Sequence, residues 1–285
     1  MSIVYLNGSY MPIEEANISP LDRGFLFGDG IYEVIPSYGG KMVGFGPHID
    51  RMIDGLAALE IKLDWDHNQW RKVCQELIDQ NPNEQLGLYL HVTRGADTKR
   101  HHPYPKGVAP TVFAMPTAIA PAPIPERDKV NAYKVSTMQD HRWKKCHIKS
   151  ISLLGNVMHY QQGYSQGSDE VLLFNTQGEL TECGACNAYI VKDGVVITPV
   201  LDNQILPGIT RLIALGVIRE DGSIKVEERN PSREEVFNAD EIWISSSSKE
   251  IAPVVEIDGQ PVGDGKPGPV WEKAAKLYSA GKFNY

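Results

Sequence analysis

The chain has 285 residues, of which 42% are hydrophobic and 22% charged; these proportions exclude a disordered chain and leave room for two compact units. A formal net charge of -8 argues against a protein that binds by neutralising the phosphates of a nucleic acid. No apolar run approaches the roughly 18 residues of a membrane span, MSIVYLNGSY lacks the basic start and apolar core of a signal peptide, and four cysteines in so long a chain make no disulfide framework, so a cytoplasmic protein with free thiols is expected.

The opening alternation of Ile3 to Leu6 reads as a strand, and Ile31 to Tyr38, the Gly39-Gly40 turn and Lys41 to Phe45 read as a hairpin. Pro36 interrupts the second run, which places that strand at an edge or at a bulge. Ile49, Met52, Ile53, Leu56 and Ala57 then fall at helical spacing, and Trp70, Val73, Cys74, Leu77 and Ile78 repeat the pattern. Strand signals return at Leu86 to Thr93 and at Thr111 to Met115, with a polar loop, Arg94 to Pro110, between them. Four prolines between Pro116 and Asp128 read as a semi-rigid linker. The expected organisation is an N-terminal α/β domain, 1–120, a linker, 121–128, and a C-terminal α/β domain, 129–285. Within the last, strands are expected at Val130 to Thr137, Glu170 to Asn175, Ala188 to Val191, Glu241 to Ser245 and Ile251 to Ile257. Its helices are expected near Ser152 to Gln166, Thr210 to Arg219 and Val270 to Ser279.

Four features carry chemistry, each beside a plainer interpretation. Lys149 precedes an apolar segment, Ile151 to Val157, and a lysine in partly apolar surroundings loses its proton more easily and can form a Schiff base with an aldehyde; most lysines are simply solvated. Leu206-Pro207-Gly208-Ile209-Thr210-Arg211 reads as a turn opening a helix, whose free N–H groups suit a phosphate, or as an ordinary capped helix. The hydroxyls of Ser245 to Ser248 could serve the same anion or be plain loop. Glu182, followed by small residues, can face a pyridine nitrogen and keep it protonated, where a strand-end surface glutamate is the commoner case.

The basic loop Arg94 to Pro103 could bind a substrate carboxylate, or be solvated. The run His141 to His147 reads as a surface segment leading to Lys149. Cys183-x-x-Cys186 has no second Cys or His pair at the spacing of a metal module, so no metal is expected.

In order along the chain, Asp22-Arg23-Gly24, Phe27-Gly28-Asp29-Gly30-Ile31-Tyr32-Glu33, His48-Ile49-Asp50-Arg51, Val92-Thr93-Arg94-Gly95, Ile148-Lys149-Ser150, Leu154-Gly155-Asn156, Glu182 with Asn187, and Gly208-Ile209-Thr210-Arg211 resemble the fold type IV pyridoxal phosphate enzymes. That family includes D-amino acid transaminases, branched-chain aminotransferases, (R)-amine transaminases and aminodeoxychorismate lyases. The resemblance implies a mixed α/β, two-domain fold with the cofactor at the domain interface and Lys149 on the C-terminal domain. It also implies that Lys149 is the Schiff-base lysine and proton shuttle, that Glu182 faces the ring nitrogen and that Leu206 packs on the ring. Arg51, Ile209, Thr210 and Ser247 would hold the phosphate.

Tyr32-Glu33-Val34 is similar to the D-amino acid transaminase version of its strand, so Tyr32 and Val34 would line the substrate site, and a ping-pong exchange between D-amino acids and 2-keto acids is expected. The alternatives within the family are the lyase reaction and branched-chain or (R)-amine transamination. Those D-specific enzymes trap the α-carboxylate with an Arg-x-His pair from the neighbouring subunit of a homodimer. Here that pair is Arg100 and His102 if one residue is inserted after Arg94-Gly95, and Lys99 and His101 otherwise. Cys183-Gly184-Ala185-Cys186 and Pro36 depart from the family's pattern.

Overall fold

The structure, a computed structural model, describes residues 2–285. By its contacts the chain divides into two units, the first running as far as Pro121 and also including Ile148–Leu153 and Tyr285, the second made of Ala122–His147 and Leu154–Asn284.

The first unit is built on strands β1 (Ile3–Leu6), β2 (Ser9–Pro12), β3 (Gly30–Tyr38), β4 (Lys41–Met42), β5 (Gln85–Thr93) and β6 (Thr111–Ala118), with helices α1 (Arg23–Phe27), α2 (Phe45–Ala58) and α3 (His67–Gln80). The sheet has the order β2-β1-β6-β5-β3-β4, and its pairs are antiparallel. Alternation along the strands sends Ile31, Ile35, Leu86, Leu88, Leu90, Val92, Val112 and Ala114 into one core with Ile49, Met52 and Leu56 of α2 and Trp70, Val73, Cys74 and Leu77 of α3. Asp66 and Gln69 form a capping box that starts α3. The β3–β4 turn places Gly39 and Gly40 at φ 56° and 77°, the left-handed region that glycine enters without strain. The second arm of this hairpin is shorter than expected, because Phe45 already begins α2.

Pro36 is neither at an edge nor at a bulge. Strand β3 runs between β5 and β4, in unbroken register with β5 from Gly30↔Thr93 to Tyr38↔Gln85. Tyr32 N–H donates to the Lys149 carbonyl and Pro36 carbonyl accepts from Val43, so the even-numbered residues of β3 direct their backbone groups away from β5. The N–H that proline lacks would have faced that side, and no β5 bond is lost.

The second unit holds β7 (Tyr133–Gln139), β8 (Glu170–Phe174), β9 (Leu180–Cys183), β10 (Asn187–Lys192), β11 (Val195–Thr198), β12 (Lys225–Glu228), β13 (Glu241–Ser246), β14 (Glu250–Ile257) and β15 (Gln260–Pro261). Its helices are α4 (Leu154–Ser165), α5 (Ile209–Asp221), α6 (Arg233–Phe237) and α7 (Pro269–Gly281). The mixed sheet follows the order β12-β11-β10-β13-β14-β7-β8-β9, with β15 beside β14. Strand β8 is buried throughout, which is why it reads as a continuous apolar run.

Two expectations change. Ile148–Leu153, and Lys149 with it, belongs by contact to the first unit and not to the C-terminal one. The segment is tied there by backbone bonds, Tyr32 N–H to the Lys149 carbonyl and Ile151 N–H to the Gly30 carbonyl, and no local sequence pattern announces such a distant pairing. Helix α4 has the expected place, yet Leu154, Val157, Met158 and Tyr164 are exposed on it while His159 and Gly163 are its buried residues.

Candidate active site

In the first unit, Lys149 is half-buried and its Nζ lies 4.0 Å from the centre of the Tyr32 ring, a cation–π contact that holds the amine against an aromatic face. Tyr32 in turn packs against Tyr89, with ring centroids 5.7 Å apart, and the Tyr89 hydroxyl bonds to His91 Nδ1 at 2.7 Å. Burial pushes Tyr89 up to about 12 and pulls His91 down, so a neutral phenol faces a neutral imidazole. Tyr32 and Val34 share one face of β3 by alternation, each half-buried.

On the other face of β3, Glu33 is fully buried. Arg51 grips it from α2 through Nε at 2.7 Å and Nη2 at 2.8 Å, and His48 Nδ1 lies 2.7 Å from it. Burial alone would raise the Glu33 pKa, but the Arg51 and His48 charges and hydrogen bonds override it and hold the carboxyl far below its usual range. Burial pulls His48 down. Glu33, itself held by His48, therefore fixes the guanidinium of Arg51, a residue expected to meet phosphate. The two motifs that contain Glu33 and His48 were legible in the sequence, whereas this positioning role was not.

Arg94 and the loop after it divide the roles expected of the basic cluster. Arg94 is buried, bonded to both carboxylate oxygens of Asp29 and to the Leu59 and Glu60 carbonyls, so its guanidinium is committed within the fold instead of offering itself to a ligand. Arg23 does the same, donating to the His101 carbonyl at 2.5 Å and the His102 carbonyl at 3.0 Å. Lys99, Arg100, His101 and His102 are exposed; Arg100 sits over the Phe27 ring and His102 packs beside it.

In the second unit, Glu182 is buried on β9. Its Oε1 accepts from Arg142, its Oε2 accepts from the Leu206 N–H at 3.0 Å, and the Asn187 side-chain amide stands 3.4 Å from Oε2. Burial pushes the carboxyl up to about 7 against the opposing pull of Arg142 and the Leu206 N–H. Asn187 also donates to the Leu206 carbonyl at 2.9 Å. One cluster thus joins Glu182, Asn187 and the Leu206 turn. The run His141 to His147 is not purely a surface segment, since the Arg142 side chain is almost wholly buried and Cys146 is buried too.

Helix α5 begins at Ile209, and its N-cap Gly208 supplies no side-chain bond, so no cap side chain takes the N–H groups of its first turn, the kind of groups that suit an anion. Ile209 and Thr210 are its first two residues, and Ser247 lies in the turn between β13 and β14. Gly208 is required by space, because a Cβ there would lie 1.9 Å from the Asn187 Oδ1. Gly208→Ala is expected to displace the Asn187 amide and to cost roughly 1 to 3 kcal/mol, read as a lower Tm; an unchanged Tm would contradict this packing. All four cysteines are free and buried, and among the described residues no His, Cys, Asp and Glu cluster could hold a metal.

The sequence model of the amino-transferase class IV family matches residues 30–257 of this chain. A D-alanine aminotransferase of Listeria monocytogenes is 37% identical over 275 residues, covering 96% of this chain and 94% of its own. One from Bacillus licheniformis is 38% identical over 94% of this chain and 92% of its own. Among solved structures, the branched-chain amino acid aminotransferase of Escherichia coli superposes with a TM-score of 0.90 at 23% identity, over 99% of this chain and 94% of that one. The T.th. branched-chain amino acid aminotransferase with pyridoxamine 5'-phosphate gives 0.91 at 20%, with the same coverage. At those identities the structures establish the fold.

Proposed function

Because the chain belongs to the class IV amino-transferases, we propose that it is a pyridoxal 5'-phosphate enzyme that exchanges an amino group between D-amino acids, such as D-alanine, and 2-keto acids, such as 2-oxoglutarate. The observation that carries this reading is the likeness, over nearly the whole length of both chains, to D-alanine aminotransferases. The branched-chain enzymes share the fold at lower identity, so L-leucine is the natural control.

The residues present suit the cofactor. Lys149 offers a half-buried amine for its aldehyde, Glu182 a buried carboxyl for its ring nitrogen, and the α5 N-terminus, with no side chain capping it, a place for its phosphate. Arg51, Ile209, Thr210 and Ser247 would bind that phosphate and Leu206 would pack on the ring. Once bound, the cofactor supplies an electron sink for the bond broken at the substrate's Cα.

The rest is the work of the chain. Lys149 would supply the amine that takes the proton from the substrate's Cα and delivers it to the cofactor's C4′. The Glu182 carboxylate keeps the ring nitrogen protonated. Tyr32 holds the Lys149 amine on its ring face, and Tyr32 and Val34 line the substrate side. The α-carboxylate would be bound by Arg100 and His102, or by Lys99 and His101 under the alternative alignment, reaching from the partner of a homodimer. The exposure of that loop and of Phe25, Leu154, Val157 and Met158 suits a chain that buries apolar surface against a second copy. Among the described residues no helix is long and apolar enough to cross a membrane, and the free thiols suit a cytoplasmic enzyme.

The test is a half-reaction. D-alanine is expected to bleach the yellow absorbance of the loaded enzyme rapidly, while L-alanine, L-leucine and (R)-1-phenylethylamine leave it. Bleaching by L-leucine alone would move the chain to the branched-chain enzymes, and release of many equivalents of pyruvate per site from aminodeoxychorismate, with no keto-acid acceptor, would make it a lyase.

A further inference from the structure

Arg142 follows β7 by three residues and reaches β9 with a nearly inaccessible side chain. Its Nε and Nη2 take the two oxygens of Asp140 at 3.0 and 2.7 Å, Nη2 also meets the Gln204 carbonyl at 3.2 Å, and Nη1 donates to Glu182 Oε1. Asp140 is itself fixed, accepting from the Thr181 hydroxyl at 3.0 Å. A planar fork held on both sides has little rotational freedom left. With one cation between two carboxylates, Asp140, Arg142 and Glu182 carry a net charge of minus one when all are ionised. That charge balances one protonated ring nitrogen.

We propose that Arg142, clamped by Asp140, is the positioning residue that aims the Glu182 carboxylate at the cofactor's ring nitrogen and keeps it charged. This rests on the cofactor assignment made above. Without Arg142, Glu182 would be a buried carboxyl with Asp140 as its nearest charge, and both burial and repulsion would favour its neutral form. A neutral acid could not hold the nitrogen protonated. Without the charge of Asp140, Arg142 would belong to Glu182 alone, and the carboxylate would be more acidic with its charge cancelled. The two carboxylates thus tune one another through a shared cation. The other titratable groups that face Glu182 are Cys146 and Cys183, whose thiols burial pushes up, Cys146 to about 11, so they stay neutral beside it. The bonds from the Leu206 N–H and the Asn187 amide complete its surroundings.

The experiment is a pH titration of the Glu182 carboxyl by carbon-13 NMR in the full chain after removal of the cofactor, the resonance being assigned with Glu182→Gln. Arg142→Gln is expected to raise the midpoint and Asp140→Asn to lower it, each by about one pH unit or more, while Arg142→Lys returns it toward wild type. Opposite shifts distinguish electrostatic tuning from mere support of the fold, which gives either no shift or the same shift in both. Midpoints that stay put or move in the same direction overturn the proposal. If Arg142→Gln does not fold, Asp140→Asn decides alone, since only the tuning argument lowers the midpoint there. Failure of the cofactor assignment would be seen separately in the wild type, as loaded protein in which borohydride captures no adduct on Lys149.

Discussion

Lys149→Ala is expected to lower the rate of amino-group exchange by at least about a thousandfold, the scale on which a positioned proton-transfer group contributes, with the attachment of the cofactor lost as well. The fold should survive, because the structural bond of this residue is made by its backbone carbonyl with Tyr32 N–H, which alanine retains. The side chain contributes the contact with the Tyr32 ring, worth about 0.5 to 2 kcal/mol. Steady-state rates, circular dichroism and mass after borohydride reduction check the three parts of this expectation. Turnover within tenfold of wild type, from protein shown to be homogeneous, would remove Lys149 from the reaction.

Glu33→Gln should destabilise the fold strongly. The carboxylate is fully buried and compensates Arg51 while bonding His48, and breaking a buried pair from one side typically costs about 3 to 5 kcal/mol. Urea unfolding would measure it, and a loss below about 1 kcal/mol would mean that water reaches the pair. The pH dependence follows from the sign of the shift. Burial would raise this carboxyl, but Arg51 and His48 depress it far below the unfolded value near about 4.3. Its contribution is therefore complete above that unfolded value and is lost as pH falls toward the depressed folded one. Wild-type protein should weaken steadily below about pH 4, and Glu33→Gln, which lacks the carboxylate, should show a shallower acid limb.

Helices α2 and α3 were legible because each buries one stripe, Ile49, Met52 and Leu56 in the first and Trp70, Val73, Cys74 and Leu77 in the second. Strands β11 and β12 leave no such signal, since β11, Val195–Thr198, is an unbroken β-branched run with no alternation and β12, Lys225–Glu228, is charged at three of its four positions. Helix α4 is marked by its apolar residues, yet several of these face outward, since periodicity reports a stripe and not what covers it. At the proposed site, ordered motifs pointed to Lys149, Glu182 and the turn before Thr210. The partners of those residues were illegible. Arg142 stands in a basic run that resembles any solvated segment, and only tertiary packing brings it to Glu182. Arg94, by contrast, looks available for a ligand in the sequence and is consumed by Asp29 and two carbonyls.

The attachment of Ile148–Leu153 to strand β3 gives the assembly of the protein an order in time. A ribosome that has released only the chain as far as Pro121 has made all six strands of the first sheet, but it has not yet made Lys149, the residue proposed to carry the cofactor. Tyr32 N–H must wait for a carbonyl more than a hundred positions downstream, and closing so long a loop is a slow, late event. The Lys149 amine is thus set in place after the sheet that presents it, so a nascent or truncated chain can hold a formed first sheet and still lack it.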